Sequence, residues 1–169
     1  SFPTRDFSLR WFRAIADYPE FVRAFWQSVK LGALSSLAAI VLSVPAALAI
    51  ARHRFAGRDA MMALFQSPLM IPHVVLGIAF LRFFTEIGLA GTITGVVLVH
   101  ASHGLVLAVW IASAAFAAVD PSLEEAARNM GASPLACFRT VTLPLAAPGL
   151  MASAIFVFLE SLDEFTGTY

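Results

Sequence analysis

Residues 119–144, VDPSLEEAARNMGASPLACFRTVTLP, form a polar connector between two strongly apolar stretches of this 169-residue chain. Asp120-Pro121 is typical of a helix N-cap followed by proline at the first helical position. Gly131 can adopt the left-handed conformation that ends a helix. Ser133-Pro134 repeats the N-cap pattern. The connector is therefore predicted to form two short helices folded back on each other.

The sequence on either side of this connector is unusually poor in charge. Hydrophobic residues make up 59% of the chain and charged residues 13%, with a mean hydropathy of +0.81, whereas soluble domains carry about 25% charged residues. Asp, Glu, Lys and Arg are absent from four long intervals. Each interval has about 20 residues or more, enough to cross a ~30 Å hydrocarbon core as a helix. The sequence predicts an all-α, polytopic transmembrane helical bundle.

We place the spans at 29–51, 60–84, 92–118 and 145–165. Residues 1–27 mix aromatic residues with arginines, a pattern typical of a membrane–water interface. The whole chain is interpreted as one partial transmembrane domain.

The distribution of arginines does not decide which side of the membrane each connector faces. Arg52, Arg54 and Arg58 lie in a compact connector that the positive-inside rule places in the cytoplasm, together with residues 119–144. Four arginines in residues 1–27 favour the opposite orientation.

Composition also excludes several classes of function. The net charge is +0, which gives no basis for nucleic-acid binding. Lys30, the only lysine, does not follow the glycine-rich turn of a phosphate-binding loop, so no ATPase chemistry or cofactor is predicted. His73, His100 and His103 lack neighbouring Cys or carboxylate ligands in sequence, and no metal site is predicted.

Three carboxylates lie near the end of the last predicted span. Glu160, Asp163 and Glu164 are spaced to share one helical face. Carboxylates at membrane depth often mark a cation path. The alternative is that the helix has simply reached water at this point, and spacing alone does not separate the two interpretations.

The connector resembles the EAA loop of permease subunits in bacterial type I ABC importers. The resemblance is carried by Glu125-Ala126-Ala127, Gly131, Val141 and Leu143-Pro144 at the spacing typical of that loop. It implies a cytoplasmic loop that docks on a separate ATPase. The alternative is that Glu124 or Glu125 only pairs with Arg128 one turn away. The implied ATPase-coupling residues are Glu124, Glu125, Ala126, Ala127, Gly131, Leu143 and Pro144.

The resemblance also implies the partners and the location. It implies a non-catalytic, multi-pass inner-membrane subunit that works with ATP-binding cassette subunits, a second permease (identical or related) and an extracytoplasmic substrate-binding protein. The alternative classes are a secondary transporter or channel without an ATPase, and a membrane scaffold.

A narrower resemblance concerns the solute. Residues 7–11, 67–77, 120–127 and 161–165 are similar to spermidine/putrescine permeases. This implies a polyamine substrate, a path along Glu160, Asp163 and Glu164, and a six-span subunit whose first and last spans lie outside this chain. Relatives that import opines, ferric iron or aminophosphonates share most of these motifs and remain alternatives.

Overall fold

The computed structural model describes residues 17–164, which fold into helices joined by short connectors. The interfacial segment predicted at 1–27 lies mostly outside the described residues. The α-helices, in chain order, are α1 Pro19–Arg52, α2 Arg58–Gln66, α3 His73–Glu86, α4 Ile93–Ala117, α5 Pro121–Asn129, α6 Pro134–Cys137 and α7 Leu143–Asp163. A 3-10 turn, Ser67–Met70, follows α2, and a π-helical turn, Phe138–Thr142, joins α6 to α7.

Within residues 17–164, three helical segments are long and apolar enough to cross a membrane. They are α1, α4 and the continuous segment Pro134–Asp163. Helices α1, α4 and α7 pack against one another in pairs and form the core of the bundle. The predicted span at 29–51 begins earlier in the structure, because α1 starts at Pro19, where proline occupies the first helical turn.

The span predicted at 60–84 is not one continuous helix. Helix α2 and its 3-10 turn meet α3 at an angle of 100°. The break coincides with Pro72, because a residue that precedes proline avoids the α conformation and Ile71 is extended, with φ −100° and ψ 129°. The segment is therefore either a broken span or a re-entrant loop.

Small residues bring α4 and α7 into close contact. A Cβ atom built on Gly104 would overlap Val157 Cγ1, and one built on Gly149 would overlap Ala115 Cβ. Val157 is fully buried, with Ala108 beside it. In lipid, where apolar burial drives helix association weakly, such close packing is a main source of stability.

Replacing Gly104 by Leu should push α4 away from α7, because the new side chain overlaps Val157. Overpacking of this kind costs about 1–3 kcal/mol. Thermal unfolding of the full-length protein in detergent should show a lower midpoint. Ala114→Leu, on the exposed face of α4, is the matched control and should leave the midpoint unchanged; equal midpoints for both variants would contradict the packing argument.

Candidate functional site

The connector between α4 and α7 forms the two short helices that its cap residues predict. Asp120 Oδ1 accepts a hydrogen bond from the backbone N–H of Ser122 at 2.9 Å, and Ser133 Oγ accepts one from the N–H of Ala136 at 3.3 Å. Gly131 lies between the helices with φ +90°, a left-handed conformation that residues other than glycine rarely adopt. We call residues 119–144 the coupling loop, after the role that the sequence resemblance implies.

A buried ion pair fixes the coupling loop to the bundle. Arg52, the last residue of α1, donates from Nη2 to Glu124 Oε1 at 3.0 Å and from Nε to the same oxygen at 3.2 Å. Thr142 Oγ1, just before α7, donates to that oxygen at 2.8 Å. Arg52 Nη2 also donates to the carbonyl of Val119 at 2.9 Å. We call Arg52, Glu124 and Thr142 the anchor triad.

The anchor triad connects three helices through one carboxylate. The side chains of Arg52 and Glu124 are only 14% and 9% exposed, so solvent screens the pair weakly. Arg128 Nη2 lies 4.0 Å from Glu124 Oε2, so the local pairing proposed as an alternative exists beside the stronger contact with Arg52. Sequence reasoning missed Arg52 as a site residue because it lies 72 positions from Glu124.

The other coupling-loop residues divide between a buried face and an exposed face. Ala127 is buried with Glu124, whereas Glu125, Ala126, Gly131 and Pro144 are exposed and Leu143 is partly buried. Three large apolar side chains are also exposed on the loop: Leu123, Met130 and Leu135. The loop therefore presents a mixed surface of small, apolar and acidic side chains while its inner face holds it to the bundle.

Histidines and carboxylates meet at the opposite end of α4 and α7. The ring of His73 lies 5.3 Å from that of His103, centroid to centroid. His73 Nδ1 is 3.8 Å from Glu164 Oε2, whose side chain is buried. His100 Nδ1 is 2.7 Å from Ser161 Oγ, which ties α4 to α7. We call His73, His103, Glu160 and Glu164 the distal polar cluster.

The three carboxylates of the predicted solute path have different surroundings. Glu160 is partly buried, Glu164 has a buried side chain beside His73, and Asp163 is exposed. Sequence spacing alone does not link the histidines to these carboxylates. Helix packing brings them together, since His73 belongs to α3 and His103 to α4.

Comparison with known proteins identifies the family. The family of binding-protein-dependent transport system inner membrane components matches residues 21–169. The chain belongs to this family. It is consequently a membrane-spanning helical protein of the inner-membrane permease kind.

Curated relatives agree with this assignment. A probable molybdenum ABC transporter permease protein of Haloferax volcanii is 39% identical over 150 residues, covering 83% of this chain and 55% of the relative. The trehalose transport system permease protein SugB of Mycobacterium tuberculosis is 35% identical, covering 85% and 53%. The maltose/maltodextrin permease protein MalG of Escherichia coli K12 is 35% identical, covering 82% and 49%. The chain spans about half the length of these relatives.

Removing either Arg52 or Glu124 should destabilise the protein, because the remaining charge stays buried without its partner. Breaking a buried ion pair costs about 3–5 kcal/mol, so Arg52→Leu and Glu124→Leu should each lower the free energy of unfolding by that order. The loss of unfolding free energy in the double variant should be smaller than the sum of the two single losses, because each single change leaves the other charge buried and unpaired. Unfolding of the full-length protein in detergent measures all three.

The exposed pair Arg82–Glu86 on α3, with Nε and Oε1 3.4 Å apart, provides the matched control. The corresponding Leu variants should change stability by about 0.2–1 kcal/mol at most. Strict additivity at Arg52 and Glu124 would contradict the proposed coupling of the two side chains.

Acidification should loosen the start of α5. Hydrogen bonds from Ser122 to the carboxylate hold the pKa of Asp120 below its usual value. The ionised side chain therefore stabilises the loop above the pKa of the unfolded chain, and this contribution is lost as pH falls through the lower, folded-state pKa. Amide hydrogen exchange at Ser122, corrected for its intrinsic pH dependence, should show this loss. Asp120→Asn should abolish the pH dependence; an unchanged profile would contradict the assignment.

Proposed function

We propose that this chain is part of the permease subunit of an ATP-driven importer and forms a section of the path for a small solute. Family membership and the arrangement of the coupling loop support this proposal. The anchor triad is the observation that carries it. The buried ion pair joins α5 to α1, and the hydrogen bond from Thr142 joins α5 to the segment that leads into α7, so a displacement of the loop can reach both helices.

The proposed mechanism follows from the connections of the loop. An ATP-binding cassette subunit would contact the exposed face around Glu125, Ala126 and Gly131 on the cytoplasmic side. Displacement of α5 would reach α1 through Arg52, and displacement of α6 would reach α7 through the continuous helical segment Pro134–Asp163. Hydrolysis of ATP would occur in the partner subunit, and this chain would contribute no catalytic residue or cofactor.

The remaining partners follow from the same proposal. A second permease, identical or related, would complete the path, and an extracytoplasmic substrate-binding protein would deliver the solute. The inner membrane is the proposed location. Exposed apolar side chains on the outer faces of the helices, including Leu37, Val41 and Trp110, suit contact with lipid or with a partner subunit.

Replacing Gly131 by Val tests the docking role of the loop. A β-branched residue at φ +90° is strained by roughly 1–2 kcal/mol, and its side chain would also enter the docking surface. Solute-stimulated ATP hydrolysis by the full-length complex in proteoliposomes should fall at least about tenfold, a change worth ~1.4 kcal/mol.

Gly57→Val is the matched control for this experiment. Gly57 has φ +89° and, like Gly131, open space around a built Cβ, but it lies in the connector between α1 and α2. The control variant should carry the same backbone strain and keep its ATPase stimulation. Equal losses in both variants would assign the effect to strain and refute docking at Gly131.

The solute is a separate part of the proposal. The relatives named for molybdenum, trehalose and maltose do not support the polyamine assignment made from the sequence. Polyamine import is a second candidate that rests on the carboxylates Glu160, Asp163 and Glu164. A panel of spermidine, trehalose, maltose and molybdate, each offered with its binding protein, separates these solutes by their stimulation of ATP hydrolysis.

A further inference from the structure

The helix that leaves the coupling loop is widened near its start by a π-helical turn. This turn, Phe138–Thr142, lies within the long helical segment Pro134–Asp163. The backbone N–H of Leu143 donates to the carbonyl of Phe138, five residues earlier instead of the usual four. Single π turns inside α-helices are rare and occur frequently at functional sites. This one lies where the coupling loop becomes a membrane span.

Pro144 explains why the turn is widened at this point. Proline has no backbone N–H, and in a regular α-helix its ring clashes with the carbonyl four residues earlier, which here belongs to Thr140. An extra residue in the turn before the proline relieves this clash, because it changes the register of the preceding carbonyls. Pro144 therefore favours the π register of the turn over the α register.

The π register turns two side chains toward Glu124. Thr142 Oγ1 donates to Glu124 Oε1 at 2.8 Å, and Cys137 Sγ donates to the backbone carbonyl of Glu124 at 3.7 Å. Both side chains are buried. In a regular α-helix, residues five apart point about 140° away from each other. The bonds between residues five apart in a π turn instead place such residues nearly above one another, so both contacts with Glu124 depend on the π register.

Conversion of the turn to the α register would break the side-chain contact of Thr142. It would rotate α6 and α7 relative to each other by about 100°, the angle between successive residues of an α-helix. Thr142 would then leave Glu124 Oε1, whereas Arg52 would keep its own two hydrogen bonds to that oxygen. Helices α5 and α1 would stay joined, while α7 would no longer be attached to the anchor triad.

The surroundings of the turn favour movement on the side of the coupling loop. Helix α7 is held to α4 by the close contacts of small residues described above. Arg139 and Thr140 are exposed, so a change of register moves them through solvent. Phe138 is the packed side chain that such a change displaces, since its ring lies 6.5 Å from that of Phe116, centroid to centroid. Helices α5 and α6 are therefore the parts that would move.

We propose that the π turn is a release joint between the coupling loop and α7. In the π register, Thr142 attaches α7 to Glu124, and the adjacent ends of α1, α5 and α7 move together. When a bound ATPase displaces α5 and α6, the turn converts to the α register and frees α7 from the anchor triad, so that α1 and α7 can part. The clash at Pro144 returns the turn to the π register when the displacement ends. The proposal rests on the importer function proposed above and names the element that regulates its opening.

Paired spin labels measure the register of the turn in the full-length permease complex. Labels at Leu135→Cys and Leu145→Cys bracket the π turn, and labels at Leu145→Cys and Ile155→Cys bracket Pro148 with the same separation in sequence. All three labelled positions are exposed, and the chain with only the buried Cys137 measures the background. Trapping the complex with ATP and vanadate should change the distance in the first pair, because the α register rotates its two sites by about 100°. The second pair should not change.

Thr142→Val removes the hydroxyl group from Glu124 and keeps the size of the side chain. Losing one hydrogen bond to a charged group should shift the equilibrium toward the α register by at least about tenfold. The resting distance of the first label pair should then move toward the trapped distance, and ATP hydrolysis without solute should rise. Thr140→Val is the matched control, because it removes a hydroxyl of the same turn that donates to the carbonyl of Ala136 at 2.8 Å. It should keep the resting distance and the low rate.

The results that overturn the release joint differ from those that refute the importer. The joint is overturned by equal distances with and without trapping, by equal changes in both label pairs, or by an unchanged resting distance in Thr142→Val. A lower unfolding midpoint of Thr142→Val with no change in distance would give Thr142 a purely structural role and also overturn the joint. Solute-stimulated ATP hydrolysis would keep the importer function intact in each of these cases. Absence of any coupling to an ATPase refutes the importer function and, with it, the joint.

Discussion

The buried carboxylate of Glu124 is the constraint on which the arrangement of the coupling loop depends. It accepts hydrogen bonds from Arg52 at the end of α1 and from Thr142 just before α7, and it belongs to α5. Three helix ends therefore converge on one side chain. A charge so poorly exposed is tolerated only when it is paired, which means that the three helix ends have to stay together or lose several hydrogen bonds at once.

The ion pair also explains why the exposed face of the loop is free to meet a partner. The backbone needs of α5 and α6 are met locally, by the caps Asp120 and Ser133 and by the left-handed Gly131. The inner face is held by Glu124 and Ala127. The outer side chains therefore contribute little to holding the loop, which leaves Glu125 and Ala126 available for docking in the function that we propose.

At the opposite end of the bundle, helix packing determines which polar side chains meet. Close contact of α4 and α7 at Gly104 and Val157 fixes the register of the two helices. That register brings His100 against Ser161, while the broken segment brings His73 of α3 beside His103 and Glu164. Packing of small residues in the middle of the bundle thus positions polar groups that are distant in sequence.

The sequence by itself determined the helical membrane-spanning class, the coupling-loop caps and the family. These features rest on local signals: the length of an uncharged stretch, the residue before a proline, and a short motif at fixed spacing. The sequence also located Glu160 and Glu164 but could not assign their neighbours. It predicted one span over 60–84, but hydropathy alone could not give the 100° angle between the two parts of that segment. Only the tertiary structure paired Arg52 with Glu124 and gathered His73, His103 and Glu164. Those contacts join residues tens of positions apart, and their geometry depends on how closely the helices approach, which no local pattern encodes.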